Sequence, residues 1–117
     1  MANYKELKVW QKSMDLVVDV YKTIDSLPQV ERFALSDQIR RCSVSIPSNI
    51  AEGAGRNHKK EFIQFLSISL GSLYELQTQL EIAKRVGYIS NISVLDKNTL
   101  EIEKMLNALI SSIKKTI

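Results

Sequence analysis

The sequence is poor in the residues that make redox chemistry, metal sites and loops. One cysteine, Cys42, and one histidine, His58, occur in 117 residues. A lone cysteine forbids an internal disulfide and fits a reducing compartment. With a single histidine beside it, it offers no zinc-ligand spacing. Four glycines and two prolines are too few for an all-β or loop-rich fold, whose turns draw on those residues. No apolar run approaches the ~20 residues of a membrane-spanning helix, and the opening segment MANYKELKVWQK has no apolar signal region. These absences predict a cytoplasmic protein with no processed leader and no membrane partner. Neither sign of charge dominates, the net charge being +3. Such mild basicity is compatible with a polyanion partner without requiring one.

Catalytic constellations are missing as well. The Glu-x-x-His pair of a di-iron bundle is absent, because Gly55 stands three residues before His58. Gly53-x-Gly55 lacks the Gly-Lys-Ser/Thr that completes a phosphate loop. Cys42 falls on an apolar-facing position about four helical turns from His58, so it reads as a small core residue and not as half of a Cys-His pair. No enzyme, cofactor or metal is expected.

What is present is amphipathic helix. From about Leu7 to Ser26, apolar residues fall at Val9/Trp10, Met14, Val17, Tyr21 and Ile24, in the steps of three and four that mark one helix face. Val18 and Val20 widen that stripe, and Trp10 reads as a core anchor. Ser26-Leu27-Pro28 ends the segment, since the residue before proline avoids the α region. In the connector 28–35, Phe33 and Leu35 are expected to plug into the core. A second helix is expected from Ser36 as N-cap, with Leu35, Ile39, Cys42/Ser43, Ile46 and Ile50 on its apolar face. Pro47 lies in its middle, where a proline costs about 3 kcal/mol. Either the helix continues with a kink or it stops at Ile46 and restarts at Ser48. Ile50 and Ala51 extend the apolar face, which favours the kink, with the Ser43 and Ser45 hydroxyls helping to satisfy the freed carbonyls. Gly53 and Gly55 end it.

The third segment, about His58 to Val86, is the longest. Its stripe is Phe62, Phe65/Leu66, Ser69, Leu73, Leu76, Leu80 and Ala83, near-heptad spacing. Asn57 is the expected N-cap and Gly87 the expected C′ residue. The fourth follows Ser90-Asn91, with Leu95, Ile102, Leu106, Leu109 and Ile113 as its stripe and Ser93 with Asp96 as a capping-box variant. Long helices joined by short connectors predict an all-α, single-domain chain over 1–117, an up-down-up-down antiparallel four-helix bundle with helix 2 kinked at Pro47.

Helices 3 and 4 carry apolar residues off their stripes: Ile63, Leu70, Tyr74 and Ile82, then Met105, Ile110 and Ile117. A monomer this small has little other core to bury them, so a homo-oligomer is expected. Gly71 inside helix 3 costs about 1 kcal/mol relative to alanine. That cost is understandable if helix 2, rich in Ser43, Ser45, Ser48 and Ala51, packs closely there. Asn49, Glu52 and Arg56 share one helix face. They read either as a polar contact fixing the helix 2–3 corner or a subunit contact, or as a ligand or nucleic-acid site. Basic residues cluster at Arg40/Arg41, at Arg56/Lys59/Lys60 and at Lys84/Arg85, with Lys5, Lys8 and Lys12 on helix 1. Antiparallel helices put 40–41 and 84–85 toward one end and 56–60 at the other.

SDQIRRCSVSIPSNIAEGAGR at 36–56, EFIQFLSISLGSLYELQTQLEIAKRVGYI at 61–89 and YKELKVWQKSMDLVVDVY at 4–21 together resemble the four-helix-bundle family of bacterial 23S rRNA intervening-sequence proteins. That family is related to the accessory protein of diversity-generating retroelements. The resemblance covers nearly the whole chain, and Ser-Ile-Pro-Ser-Asn-Ile-Ala-Glu-Gly is its most specific run. It implies a barrel-like homopentamer without established catalytic residues. The retroelement relative binds nucleic acid and a reverse transcriptase through a basic surface. Arg40, Arg41, Ser45, Pro47, Asn49, Glu52, Gly53 and Arg56 are motif positions of the resemblance. The function expected is a non-catalytic homo-oligomer that binds RNA or a ribonucleoprotein through its basic patches. The alternative is a protein–protein scaffold without nucleic-acid contact.

Overall fold

Twenty-seven residues, Lys59–Arg85, form one uninterrupted helix, α3, and its length sets the long axis of the molecule. At 1.5 Å per residue it spans about 40 Å, against an overall extent of 46 × 23 × 20 Å. The computed structural model describes residues 3–117. The other helices are α1, Lys8–Ile24, α2, Leu35–Ala54, and α4, Ser93–Lys114. Short 3-10 turns at Tyr4–Glu6 and Gln29–Glu31 precede α1 and α2. Among the described residues there is no strand.

Each helix packs on two others, α2 lying between α1 and α3 and α4 between α3 and α1. Contacts across neighbours run in opposite directions along the two helices of each pair. Cys42 meets Glu75, Ser45 meets Ser72 and Ile46 meets Ser69. Likewise Lys59 meets Thr116, while Tyr74 and Gln77 meet Glu103. The expected α3 stripe is the buried face: Phe62, Leu66, Ser69, Leu73, Leu76, Leu80 and Ala83. Opposite it lie Ile39, Cys42, Ser43, Ile46 and Ile50 of α2, and Leu95, Ile102 and Leu106 of α4. Burying each of the larger aliphatic side chains contributes about 1.5–3 kcal/mol.

Helix α1 is rotated relative to the expected face. Its buried residues are Val9, Ser13, Leu16 and Val20, whereas Met14 and Tyr21 lie 40% and 43% exposed. Ser13 explains the difference. Its hydroxyl donates to the Trp10 carbonyl at 2.8 Å, so a polar residue sits in the core already satisfied, and an apolar pattern does not register it. Trp10 is half-buried, edge-on to Tyr4 with ring centroids 5.3 Å apart. The connector also differs: Leu35 packs on the core, but Phe33 is 85% exposed.

Helix ends depart from the expected caps. α2 starts at Leu35, so Ser36 lies inside it, buried. α3 starts after His58, one residue beyond Asn57, with no side-chain cap. At α4, Asn91 rather than Ser93 supplies the side chain, accepting from the Ser93 amide at 2.9 Å. Gly87 is the C′ residue expected, at φ +88. Tyr88 N–H reaches the Ala83 carbonyl at 2.9 Å and Gly87 N–H the Lys84 carbonyl at 3.0 Å, the paired bonds of a Schellman ending. α2 runs unbroken through Pro47. The Ser43 hydroxyl turns back to the Arg40 carbonyl and that of Ser45 to Ser72, so neither reaches the carbonyl that Pro47 leaves free.

The two interior glycines separate cleanly. A Cβ on Gly53 would lie 2.7 Å from Phe65 Cβ and 3.0 Å from Phe62 Cδ1. Helix α2 touches the first turns of α3 there, and only a hydrogen fits. A Cβ on Gly71 would meet nothing within 4 Å, which corrects the expectation that Gly71 marks a close approach inside the chain. Gly53→Ala should therefore cost about 1–3 kcal/mol through overpacking. Gly71→Ala should stabilise by about 0.5–1 kcal/mol through helix propensity. Urea unfolding of both variants checks the opposite signs.

Candidate nucleic-acid interface

The seam between α2 and α3 positions most of the residues singled out by sequence. It is polar along its outer edge. The Cys42 thiol donates to Glu75 Oε2 at 3.3 Å. One turn along, Ser45 and Ser72 hydroxyls meet at 2.9 Å. Asn49 Nδ2 donates to the Ser45 carbonyl at 2.8 Å and to its hydroxyl at 2.9 Å. The buried Ser69 hydroxyl donates across the seam to the Ile46 carbonyl at 2.8 Å. Asn49 is thus occupied backward along its own helix. It does not join Glu52 and Arg56, which pair with each other at 3.2 Å. Arg56 also lies over the Phe65 ring, 5.0 Å from its centroid, directly beyond the Gly53 contact.

The basic residues fall into two kinds. Arg40 and Arg41 both hold the Asp37 carboxylate, the latter at 2.9 Å, and Arg85 pairs with Glu81 at 3.0 Å. Lys59 Nζ donates to the Thr116 carbonyl at 3.2 Å, tying the start of α3 to the end of α4. Lys60 and Lys84 are exposed, with no carboxylate within ion-pair distance among the described residues. Exposed pairs one helical turn apart contribute only about 0.3–0.5 kcal/mol, so a phosphate can take over those arginines at little cost. The structure does not merge the clusters into one patch. The Cys42–Glu75 contact sets Arg41 level with residue 76, leaving Arg85 about 13 Å further along the axis. Lys59 and Lys60 stand at the opposite end of α3.

Sequence reasoning missed two features. Arg32 lies over the exposed Phe33 ring at 5.2 Å, and the adjacency of the two residues was the available signal. Between α1 and α4, Lys12 and Glu101 pair at 2.6 Å in a groove of about 250 Å³ that Asp15, Asp19 and Asn98 also line. The hydrogen bond to Glu101 raises the Lys12 ammonium pKa, and the same bond lowers that of the Glu101 carboxyl.

None of this arranges a nucleophile beside a base. Burial first, and then the hydrogen bond to Glu75, pushes the Cys42 thiol from its ordinary 9.0 up to about 11. His58 is exposed at the start of α3. Among the described residues no group of three or more His, Cys, Asp or Glu is placed to hold a metal ion. Among the described residues no helix is long and apolar enough to cross a membrane.

A four-helix bundle with a polar α2–α3 seam and basic residues at both ends is the class of protein these features define. Residues 5–108 match the family described as 23S rRNA-intervening sequence protein, and the chain belongs to that family. Its fold is also similar to a solved structure from Bacteroides thetaiotaomicron, described as a protein with unknown function from the S23 ribosomal protein family. The two are 29% identical, with a TM-score of 0.81, over 88% of this chain and 95% of that one. Neither the family description nor that of the solved relative names a catalytic activity. Among curated proteins, none matches the chain.

The raised thiol pKa has a signed consequence. Between pH 9 and about 11 the unfolded chain loses the Cys42 proton while the folded chain keeps it, so stability falls across that window. Denaturant melts at pH 8 and pH 10.5 should show a smaller decline for Cys42→Ala than for the parent. At pH 8 the folded parent should react far more slowly with a thiol reagent than the unfolded chain does.

Proposed function

We propose that this protein is a non-catalytic homo-oligomer, a pentamer by family resemblance, that binds RNA or a ribonucleoprotein through the basic side chains at its two ends. The observation that carries the reading is the placement of cations on α3. Lys59 and Lys60 lie at its start and Lys84 and Arg85 at its end, all exposed. Repetition around a ring would assemble them into two charged rims, and several cations on one surface are what phosphate neutralisation requires. The family description, which refers to 23S rRNA, supports the same partner. The apolar residues left on the outside support self-association. Met14, Val18 and Tyr21 of α1 and Val44 of α2 lie 38–51% exposed, as do Tyr74 and Ile82 of α3.

A second reading, a protein–protein scaffold that makes no nucleic-acid contact, is favoured by one feature. Between α1 and α2 an apolar groove of about 380 Å³ is lined by Trp10, Met14, Val17, Val44 and Pro47, and the net charge is only +3.

Light scattering should give a mass near five times the 13.3 kDa chain; a monomer mass would remove both readings. Affinity for a structured RNA should fall at least about tenfold between about 50 and 200 mM salt. It should fall further in an Arg56→Ala, Lys59→Ala, Lys60→Ala variant. Salt-independent binding would leave the scaffold reading alone.

A further inference from the structure

The connector between α1 and α2 carries a site that the basic clusters do not include. Arg32, Ser36 and Arg40 line a polar cleft of about 280 Å³ at the start of α2, with Gln29 and Asp25. Ser36 is only 8% exposed, yet its hydroxyl has no hydrogen-bond partner within the chain among the described residues. The N-cap residue, Ala34, has no side chain able to cap α2, and of the first amides the Glu31 carboxylate accepts only from that of Leu35, at 3.4 Å. The amides of Ser36 and Asp37 in its first turn therefore remain free donors at the positive end of the helix dipole. Arg32 has no carboxylate within ion-pair distance among the described residues. Its guanidinium covers one face of Phe33, and the rest of that ring is in water, the residue being 85% exposed.

We propose that this cleft seats one nucleotide of a single-stranded RNA, the phosphate between Arg32, Arg40 and the Ser36 hydroxyl and the base on the open face of Phe33. The proposal rests on the RNA-binding reading and sharpens it to a site and a strand type. Cationic grooves beside exposed aromatic rings are how unpaired strands are held, because every base has a face to stack. The Ser36 hydroxyl, facing the cleft without a partner among the described residues, and the free first-turn amides of Ser36 and Asp37 both favour an anion. Three carboxylates oppose one. Asp25 lines the cleft, Glu31 sits at the Leu35 amide, and Asp37 holds Arg40, so an incoming phosphate must draw one Arg40 N–H away. Isolated phosphate should consequently bind weakly, with stacking supplying the rest. Tyr88 Oη donates to Glu31 at 2.9 Å, joining the end of α3 to this connector. A strand leaving the cleft in that direction meets Lys84 and Arg85.

The test is fluorescence anisotropy on the full chain with a labelled 12-nucleotide oligouridylate and, separately, a blunt RNA duplex. Phe33→Ala should weaken the strand roughly 5- to 150-fold, the value of one stacked base, and leave the duplex unchanged. Ser36→Ala and Arg32→Gln should weaken strand binding and abolish the shift that inorganic phosphate induces in the Ser36 and Asp37 amide resonances. If Phe33→Ala keeps full strand affinity while the duplex binds with salt dependence, this site is overturned and the RNA reading stands. If the parent binds neither RNA, both fall. Uridine monophosphate binding as tightly as the strand would transfer the site to a free nucleotide. A change of oligomer mass in Phe33→Ala would transfer it to a second copy of the chain.

Discussion

Helices α2 and α3 touch at Gly53, and much of the molecule follows from that contact. A methyl group there would sit 2.7 Å from Phe65 Cβ, so the approach exists only because the residue has no side chain. From this point the two helices run alongside each other with Ile46, Ile50, Leu66, Leu73 and Leu76 fully enclosed. Small polar residues, Ser45, Ser69 and Ser72, let the backbones stay near and bond across the seam. The contact also turns the chain: α2 ends at Ala54 and α3 begins at Lys59. Arg56, lying on Phe65 and paired to Glu52, closes the corner over it.

With α2 and α3 held in this way, α1 and α4 complete the core and determine what faces outward. α4 buries Leu95, Ile102 and Leu106 and leaves the charged Lys12–Glu101 groove against α1. α1 buries a face containing Ser13 and thereby turns Met14, Val18 and Tyr21 to solvent. The outer surface is consequently divided. One side, between α1 and α2, is apolar and suited to another protein surface. The two ends, where helices start and stop, carry the arginines and lysines suited to phosphate. In the function proposed, assembly and nucleic-acid binding would use different residues.

The features most readily read in the sequence were those carried by pattern. The α3 stripe from Phe62 to Ala83 is buried as its spacing demands, and Gly87 stops the helix with the positive φ its position requires. What did not register was anything set by hydrogen bonds and contacts that the apolar pattern does not encode. Ser13 is a core residue because its own backbone satisfies it. Ser36 and Asn57 resemble N-caps, but α2 begins one residue before Ser36 and α3 two residues after Asn57. Phe33, apolar and next to the core, points to water with an arginine on it. In the candidate site the cations were found by composition, whereas their pairing with Asp37, Glu52 and Glu81 depends on rotamers that spacing only suggests.

The central structural claim is that the α2–α3 seam is the most stable part of the bundle, the frame on which α1, α4 and the basic ends are placed. Native-state amide hydrogen exchange resolves this by segment. The amides around Ile46–Ile50 and Leu66–Leu76 should exchange only through global unfolding, at the slowest rates in the chain. Those of α1 and of the second half of α4 should exchange faster, through partial opening. Equal or greater protection in α1 or α4 than in the seam would contradict the account.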